Sequence, residues 1–187
     1  MYEGVSHSLG SMPTVARMRT VDERIVRAPA MRMFEIAVNV ERWPELLPHY
    51  RYVRFRERTG DAAGIVEMSA NRPFGVVDWP TRWVSLMEVQ HPAGTTSPSI
   101  RFRHVGGVTT RMEVEWSFAP MRDAGGAGTR VTVTHLWDGP SWPFIGGLAA
   151  RMVIGPVFVH GIASRTLEGL ARAAERDQTS RAISPEQ

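Results

Sequence analysis

Three histidines stand where the pattern of apolar residues would bury them. His104 continues the two-residue series Ile100, Phe102, and His135 continues Val131, Val133. His160 falls in a series with three- and four-residue steps: Leu148, Met152, Pro156, His160, Ala163, Leu167, Leu170 and Ala174. Near neutral pH an imidazole can give and take a proton within one cycle, so three of them facing one space are the candidate catalytic groups. Each alone is equally readable as a hydrogen-bonded core residue, and it is their convergence that points to proton transfer. The other histidines, His7, His49 and His91, sit near the N-terminus or beside loops, and no two histidines have the four-residue helical spacing of a zinc motif. No metal ligand set is expected.

Other chemistries lack their residues. The 187-residue chain has no cysteine, and all 22 of its basic residues are arginine. Disulfides, thiolate metal sites, a cysteine nucleophile, Schiff-base chemistry and a phosphate-loop lysine are thereby excluded. There is no Gly-x-Ser-x-Gly elbow and no dinucleotide fingerprint, so no motif calls for a cofactor. Glu113 and Glu115 point away from the apolar face of their strand and read as solvated charges, which leaves glycosidase chemistry without support.

The elements that position these residues have mostly a period of two. A first strand runs around Val21–Ile25, and a short helix over Pro29–Val40 follows. A second short helix, Glu41–Pro48, is bounded by prolines. Strands follow at about Tyr50–Arg58, Ile65–Asn71, Trp79–Val89, Ser99–Val105, Thr109–Phe118 and Thr129–Trp137. From Trp142 to about Glu175 the period becomes helical, with a kink at Gly155-Pro156, where proline removes a backbone donor. Seven antiparallel strands and one long terminal helix predict an α+β domain in which a curved sheet wraps the helix and leaves a cavity between them.

Strand alternation assigns the cavity face. Thr81, Trp83, Ser85 and Met87 lie together on the fourth strand, and Ile100, Phe102 and His104 on the fifth. Met112, Val114, Trp116 and Phe118 share a face of the sixth, and Val131, Val133, His135 and Trp137 of the seventh. Aromatics of this bulk with adaptable methionines suit a flat or greasy ligand, although the same residues would serve as plain core. The candidate ligand-lining set is Trp83, Ser85, Met87, Phe102, Met112, Val114, Trp116 and Val133 on the sheet, with Trp43 from the second short helix. Tyr50, Tyr52 and Arg72 join it from the second and third strands, and Met152 and Pro156 from the terminal helix.

Residues 1–16 are without period and predict a flexible leader; 17–176 form one ligand-binding domain, and polar 177–187 a flexible tail. The net charge is only +3, with arginines scattered among nearly as many carboxylates, so nucleic acid is not the expected partner. No apolar run reaches the ~20 residues that span a bilayer, and the N-terminus lacks the pattern of a secretory signal; a cytoplasmic location is the default. The apolar stretch Trp142–Leu148 reads either as a lip that touches membranes transiently or as a loop packed on its own domain. A monomer and a homodimer both remain open.

The same order of elements resembles the START-like, Bet v 1-like (SRPBCC) superfamily, in particular its polyketide cyclase/dehydrase and coenzyme Q-binding branch. The resemblance covers about Arg19 to Ala174. It is carried by Val26-Arg27-Ala28-Pro29, by Asn39-Val40-Glu41-Arg42-Trp43-Pro44-Glu45-Leu46-Leu47-Pro48-His49-Tyr50, by Trp83-Val84-Ser85, by Met112-Glu113-Val114-Glu115-Trp116 and by Arg165-Thr166-Leu167-Glu168-Gly169-Leu170. It implies a helix-grip fold around a hydrophobic pocket. In cyclase members a polyketone chain folds in that pocket, closes by aldol addition and dehydrates, with cavity side chains moving protons and polarising carbonyls. Here the resemblance implies His104 as base, His135 or His160 as its partner, and Tyr50, Tyr52 or Arg72 as oxyanion donors. The chain departs from that pattern after Trp83-Val84-Ser85: where the cyclases it resembles tend to carry an inward arginine, it has Leu86 and Met87. In the quinone-binding branch the same pocket carries a prenylated ligand without turning it over.

Overall fold

The computed structural model describes residues 8–74, 77–107, 109–123, 126–139 and 160–183. β1 (Met18–Val26) ends before Pro29, whose fixed φ of −58° sets the entry to α1 (Ala30–Val38). The Met33 N–H donates to the Pro29 carbonyl at 3.1 Å, and Met33, Phe34 and Ala37 form the buried face of α1. A 3-10 turn, Val40–Arg42, leads into α2 (Trp43–Leu46), which has a proline in its first turn.

Six strands follow: β2 (Tyr50–Gly60), β3 (Ala63–Phe74), β4 (Val77–Gln90), β5 (Ser99–Gly107), β6 (Glu113–Asp123) and β7 (Gly126–Trp137). All pair antiparallel in the order β1-β7-β6-β5-β4-β3-β2, giving a curved, open sheet. The edge strands β1 and β2 are consecutive in sequence, so α1 and α2 carry the chain from one edge to the other. β6 starts at Glu113, later than the alternation from Thr109 suggests, because Thr109–Arg111 form a turn.

The last helix, α3 (His160–Ile183), lies against β1 and α1. Its buried stripe of Ala163, Thr166, Leu167, Leu170, Ala171 and Ala174 has the helical repeat, and its small members allow close approach. At Gly169 a Cβ would lie 2.2 Å from Leu47 Cδ2, so glycine lets α3 seat against the end of α2. α3 continues to Ile183, past the point where polar composition predicts a tail, and Arg32 of α1 holds Asp177 at 2.7 Å. The kink at Pro156 and the stretch Trp142–Leu148 lie outside the described residues.

The two faces of the sheet are distinct. Trp83, Met87, Phe102, Trp116, Val133 and their neighbours form the inner core with α1, α2 and α3. On the outer face Ile65, Val84 and Leu86 form a small cluster closed by Leu9. The N-terminal segment is therefore not wholly the free leader that its composition suggests: the Leu9 carbonyl accepts from Arg103 Nη2 at 2.8 Å, and the Gly10 carbonyl accepts from Arg101. Those two arginines also hold Glu113, which is outward-facing as expected but buried and paired rather than solvated.

Glu67 of β3 is fully buried on this outer face. One of its oxygens accepts from Tyr52 Oη at 3.0 Å and pairs with Arg82, and the other takes Arg56 Nε at 2.7 Å and Arg54 Nη2 at 2.9 Å. Burial pushes the carboxyl pKa up, but hydrogen bonds from Arg56, Arg54 and Tyr52, with the charge of Arg56, more than offset this and lower it from 4.5 to about 2. In the unfolded chain the group titrates near its ordinary value. Ionised Glu67 thus contributes stability in full above about pH 4.5 and loses it as the pH falls towards about 2. Urea unfolding of wild type and Glu67→Gln should show a constant difference in midpoint above about pH 5 that closes on acidification; a difference unchanged down to about pH 2 would contradict this coupling.

Candidate functional site

Where β2 meets β3, Tyr50 pairs with Ala70 but Tyr52 pairs with Ser69, so Arg51 is an extra residue in the ladder. Such a bulge reverses the alternation that follows it. Tyr50 faces inward, and Tyr52 faces outward to Glu67. The expectation that both tyrosines line the cavity is corrected by this one inserted residue.

The β4–β5 register runs unbroken to Ser85 opposite His104; a bulge there, with Val105 as the extra residue, then sets Val84 opposite Gly106. Beyond it the chain turns sharply. Gly107 has φ +97°, and a Cβ there would lie 2.6 Å from the Arg82 carbonyl, so only glycine fits. Arg111 adopts φ +71°. The Arg111 N–H donates to the His104 carbonyl at 2.7 Å, the His104 N–H to the Met112 carbonyl at 2.9 Å, and Trp137 Nε1 to the Thr110 carbonyl at 3.1 Å. This tethered turn brings Thr109 Oγ1 to 2.6 Å from His104 Nδ1. The imidazole is buried and stacks on Trp83, with ring centroids 6.1 Å apart and planes 21° apart.

Between sheet and α3 lies a cavity of about 70 Å³, lined by Trp43, Tyr50, Met68, Trp83, Ser85, Phe102, His104, Thr109, Met112, Val114, Trp116, His135, Ile162, Ala163 and Thr166. Trp43 is the wedge that narrows it. Its ring centroid lies 5.3 Å from that of Tyr50, 5.8 Å from Trp116 and 6.4 Å from Phe102, and its Nε1 donates to the Ala37 carbonyl at 3.1 Å. The space is small against the ~300–1,000 Å³ of sites for drug-sized ligands. Trp43, Trp83, Phe102 and Trp116 crowd this space.

The structure brings together His104 and His135, whose Nδ1 lies 3.4 Å from Thr20 Oγ1 of β1. Met87 and Val133 are buried in the inner core without lining the cavity. The side chains of His160 and Arg72, and the whole of Met152 and Pro156, lie outside the described residues. Met68, Thr109, Ile162, Ala163 and Thr166 line the cavity unanticipated. Met68 was within reach of the Val66, Met68, Ala70 alternation, and Thr166 of the α3 stripe. Thr109 belongs to a turn that no periodicity announces.

Among the described residues no charged side chain lines the cavity. The groups able to polarise a ligand are the neutral hydroxyls of Tyr50, Ser85, Thr109 and Thr166 and the imidazoles of His104 and His135. Just outside, His49 Nε2 lies 3.1 Å from Thr166 Oγ1. Burial, and then the charge of Arg165, lower the His49 pKa below 6.5 and keep it neutral at pH 7.

An open antiparallel sheet curved round a C-terminal helix, with an apolar cavity between them, defines a helix-grip domain. Residues 26–158 match the family described as polyketide cyclase/dehydrase and lipid transport, and the chain belongs to that family. Among solved structures it is similar to the ZhuI aromatase/cyclase from Streptomyces sp. R1128, with TM-score 0.67 and 16% identity over 85% of this chain and 94% of that one. TTHA0849 from Thermus thermophilus gives 0.63 and 22%, covering 84% and 97%. A START superfamily protein from Mycobacterium smegmatis gives 0.57 and 19%, covering 85% and 95%. At these identities the likeness establishes the fold. Comparison with curated protein sequences returns no significant match. Among the described residues no helix is long and apolar enough to cross a membrane.

Ser85 Oγ is buried with no hydrogen-bond partner among the described residues, opposite His104. Removing a hydroxyl that makes no bond forfeits nothing and relieves its desolvation. Ser85→Ala should therefore leave the unfolding free energy unchanged or raise it by up to about 1 kcal/mol in urea titrations; a loss beyond that size would reveal a hydrogen bond at this hydroxyl.

Proposed function

We propose that this chain binds a hydrophobic small molecule of polyketide or aromatic type in the cavity, and that His104 transfers protons on it as in a cyclase/dehydratase. The observation that carries this is the buried His104–Thr109 pair on a cavity wall that has no charged side chain among the described residues. Thr109 and the Trp83 face fix the orientation of the imidazole, which places a group able to take a proton beside a carbonyl within a water-poor space. His135 supplies a second imidazole on the same cavity. The neutral hydroxyls of Tyr50 and Thr109 take the role of polarising the carbonyl as negative charge develops on its oxygen. With little free volume, a ring-sized ligand requires the rings of Trp43 and its neighbours to move apart on entry, so affinity rests on apolar contact at ~25 cal/mol per Å².

A non-catalytic carrier of a lipid or prenylated quinone is the second reading. The absence of a charged lining group among the described residues favours it, because a carrier needs apolar surface and no proton donor.

Native mass spectrometry of the protein purified without detergent identifies any small molecule retained. With a poly-β-ketone substrate, His104→Ala should reduce turnover at least ~100-fold, the scale of one general base, while binding persists. Turnover equal to wild type would remove the catalytic role. Retention of a lipid by a double His104→Ala, His135→Ala variant, with no turnover by either protein, would establish the carrier instead.

A further inference from the structure

A second hollow, of about 410 Å³, runs along the surface between α2 and α3, with His49, Arg165, Glu168, Arg172 and Arg176 on its sides and Leu47 at its floor. Three cations face one carboxylate there. Glu168 is engaged by Arg172 one helical turn away. Arg165 is exposed and makes no ion pair or hydrogen bond among the described residues. His49 adds no charge at pH 7, since burial and the charge of Arg165 lower its pKa. The groove is thus net positive, and a planar guanidinium within it matches the two oxygens of a carboxylate.

This groove and the internal cavity share a wall. Of the consecutive residues His49 and Tyr50, the first lines the groove and the second the cavity; Arg165 and Thr166 divide in the same way. Across that wall His49 Nε2 meets Thr166 Oγ1 at 3.1 Å, a neutral contact worth far less than the burial of an alkyl chain. From these juxtapositions we infer that the natural ligand is an amphipathic acid: its apolar part occupies the tryptophan-lined cavity, its anionic end is recognised by Arg165 in the groove, and the His49–Thr166 contact is the seam it parts on entry. The inference rests on the proposed ligand-binding role of the cavity and adds to it the charge and shape of what is bound.

Trp43, Trp83 and Trp116 line the cavity, so intrinsic fluorescence reports its occupancy. Octanoate and octan-1-ol, which share a chain and differ in charge, are titrated at low salt into wild type, Arg165→Gln and Arg165→Lys. Both probes should change the emission, and octanoate should bind wild type more tightly. Arg165→Gln should weaken octanoate about three- to fivefold, the scale of one exposed ion pair, and leave octan-1-ol unaffected, while Arg165→Lys restores most of the loss. Equal affinities of the two probes, or an Arg165→Gln effect that is absent or the same for both, would overturn the acid assignment while leaving the cavity as a binding site. If neither probe alters the emission, the ligand-binding role itself fails, and the acid assignment with it.

Discussion

An antiparallel sheet that bends round a helix has to shed its register at intervals, and the residues where it does so decide which side chains meet. In this chain the slips at Arg51 and Val105 govern the site. The first sends Tyr50 inward against Trp43 and Tyr52 outward to Glu67. The second lies just beyond the regular pair Ser85–His104 and shifts Val84 to Gly106, next to the turn that carries Thr109. Without the inserted Arg51, Tyr50 would share the outer face with Tyr52 and leave the cavity.

How much of this was legible in the sequence follows from the same physics. The order of strands and helices, the family resemblance and the faces of β4 to β7 could be read because half-buried strands alternate and the apolar residues there are large. Trp83, Phe102, Val114 and Trp116 lie where alternation places them. Tyr52 could not be placed, because a bulge leaves no mark in composition, and Arg51 looks like any exposed strand residue. Glu113 looked solvated because its partners Arg101 and Arg103, and the backbone of Leu9 and Gly10, come from elsewhere in the chain. The size of the cavity was likewise hidden. Bulky aromatics can stand apart or fill the gap between sheet and helix, and here Trp43, packed on Tyr50, Trp116 and Phe102 and bonded to the Ala37 carbonyl, narrows it.

Charge is unevenly placed on the two faces: among the described residues the inner face buries the carboxylate of Asp22 in β1, opposite Val133 and outside the cavity lining. The carboxylates buried on the outer side, Glu67 and Glu113, each lie under more than one arginine. The described lining of the cavity carries hydroxyls and imidazoles alone. This follows from solvation: guanidinium groups on an open sheet face keep part of their hydration while they neutralise a carboxylate, whereas a charge inside a small, aromatic-lined space would lose most of it. The interior is thereby suited to a hydrophobic ligand.

The outer face has one more property of this kind. Leu9 and Gly10 give their carbonyls to Arg103 and Arg101, which hold Glu113 one residue before Val114, a cavity-lining position. The Leu9–Gly10 segment is in effect a gasket over a charge cluster, with only the thickness of one strand between it and the binding chamber. Altering the chain close to Leu9 is accordingly an electrostatic intervention at the back wall of that chamber.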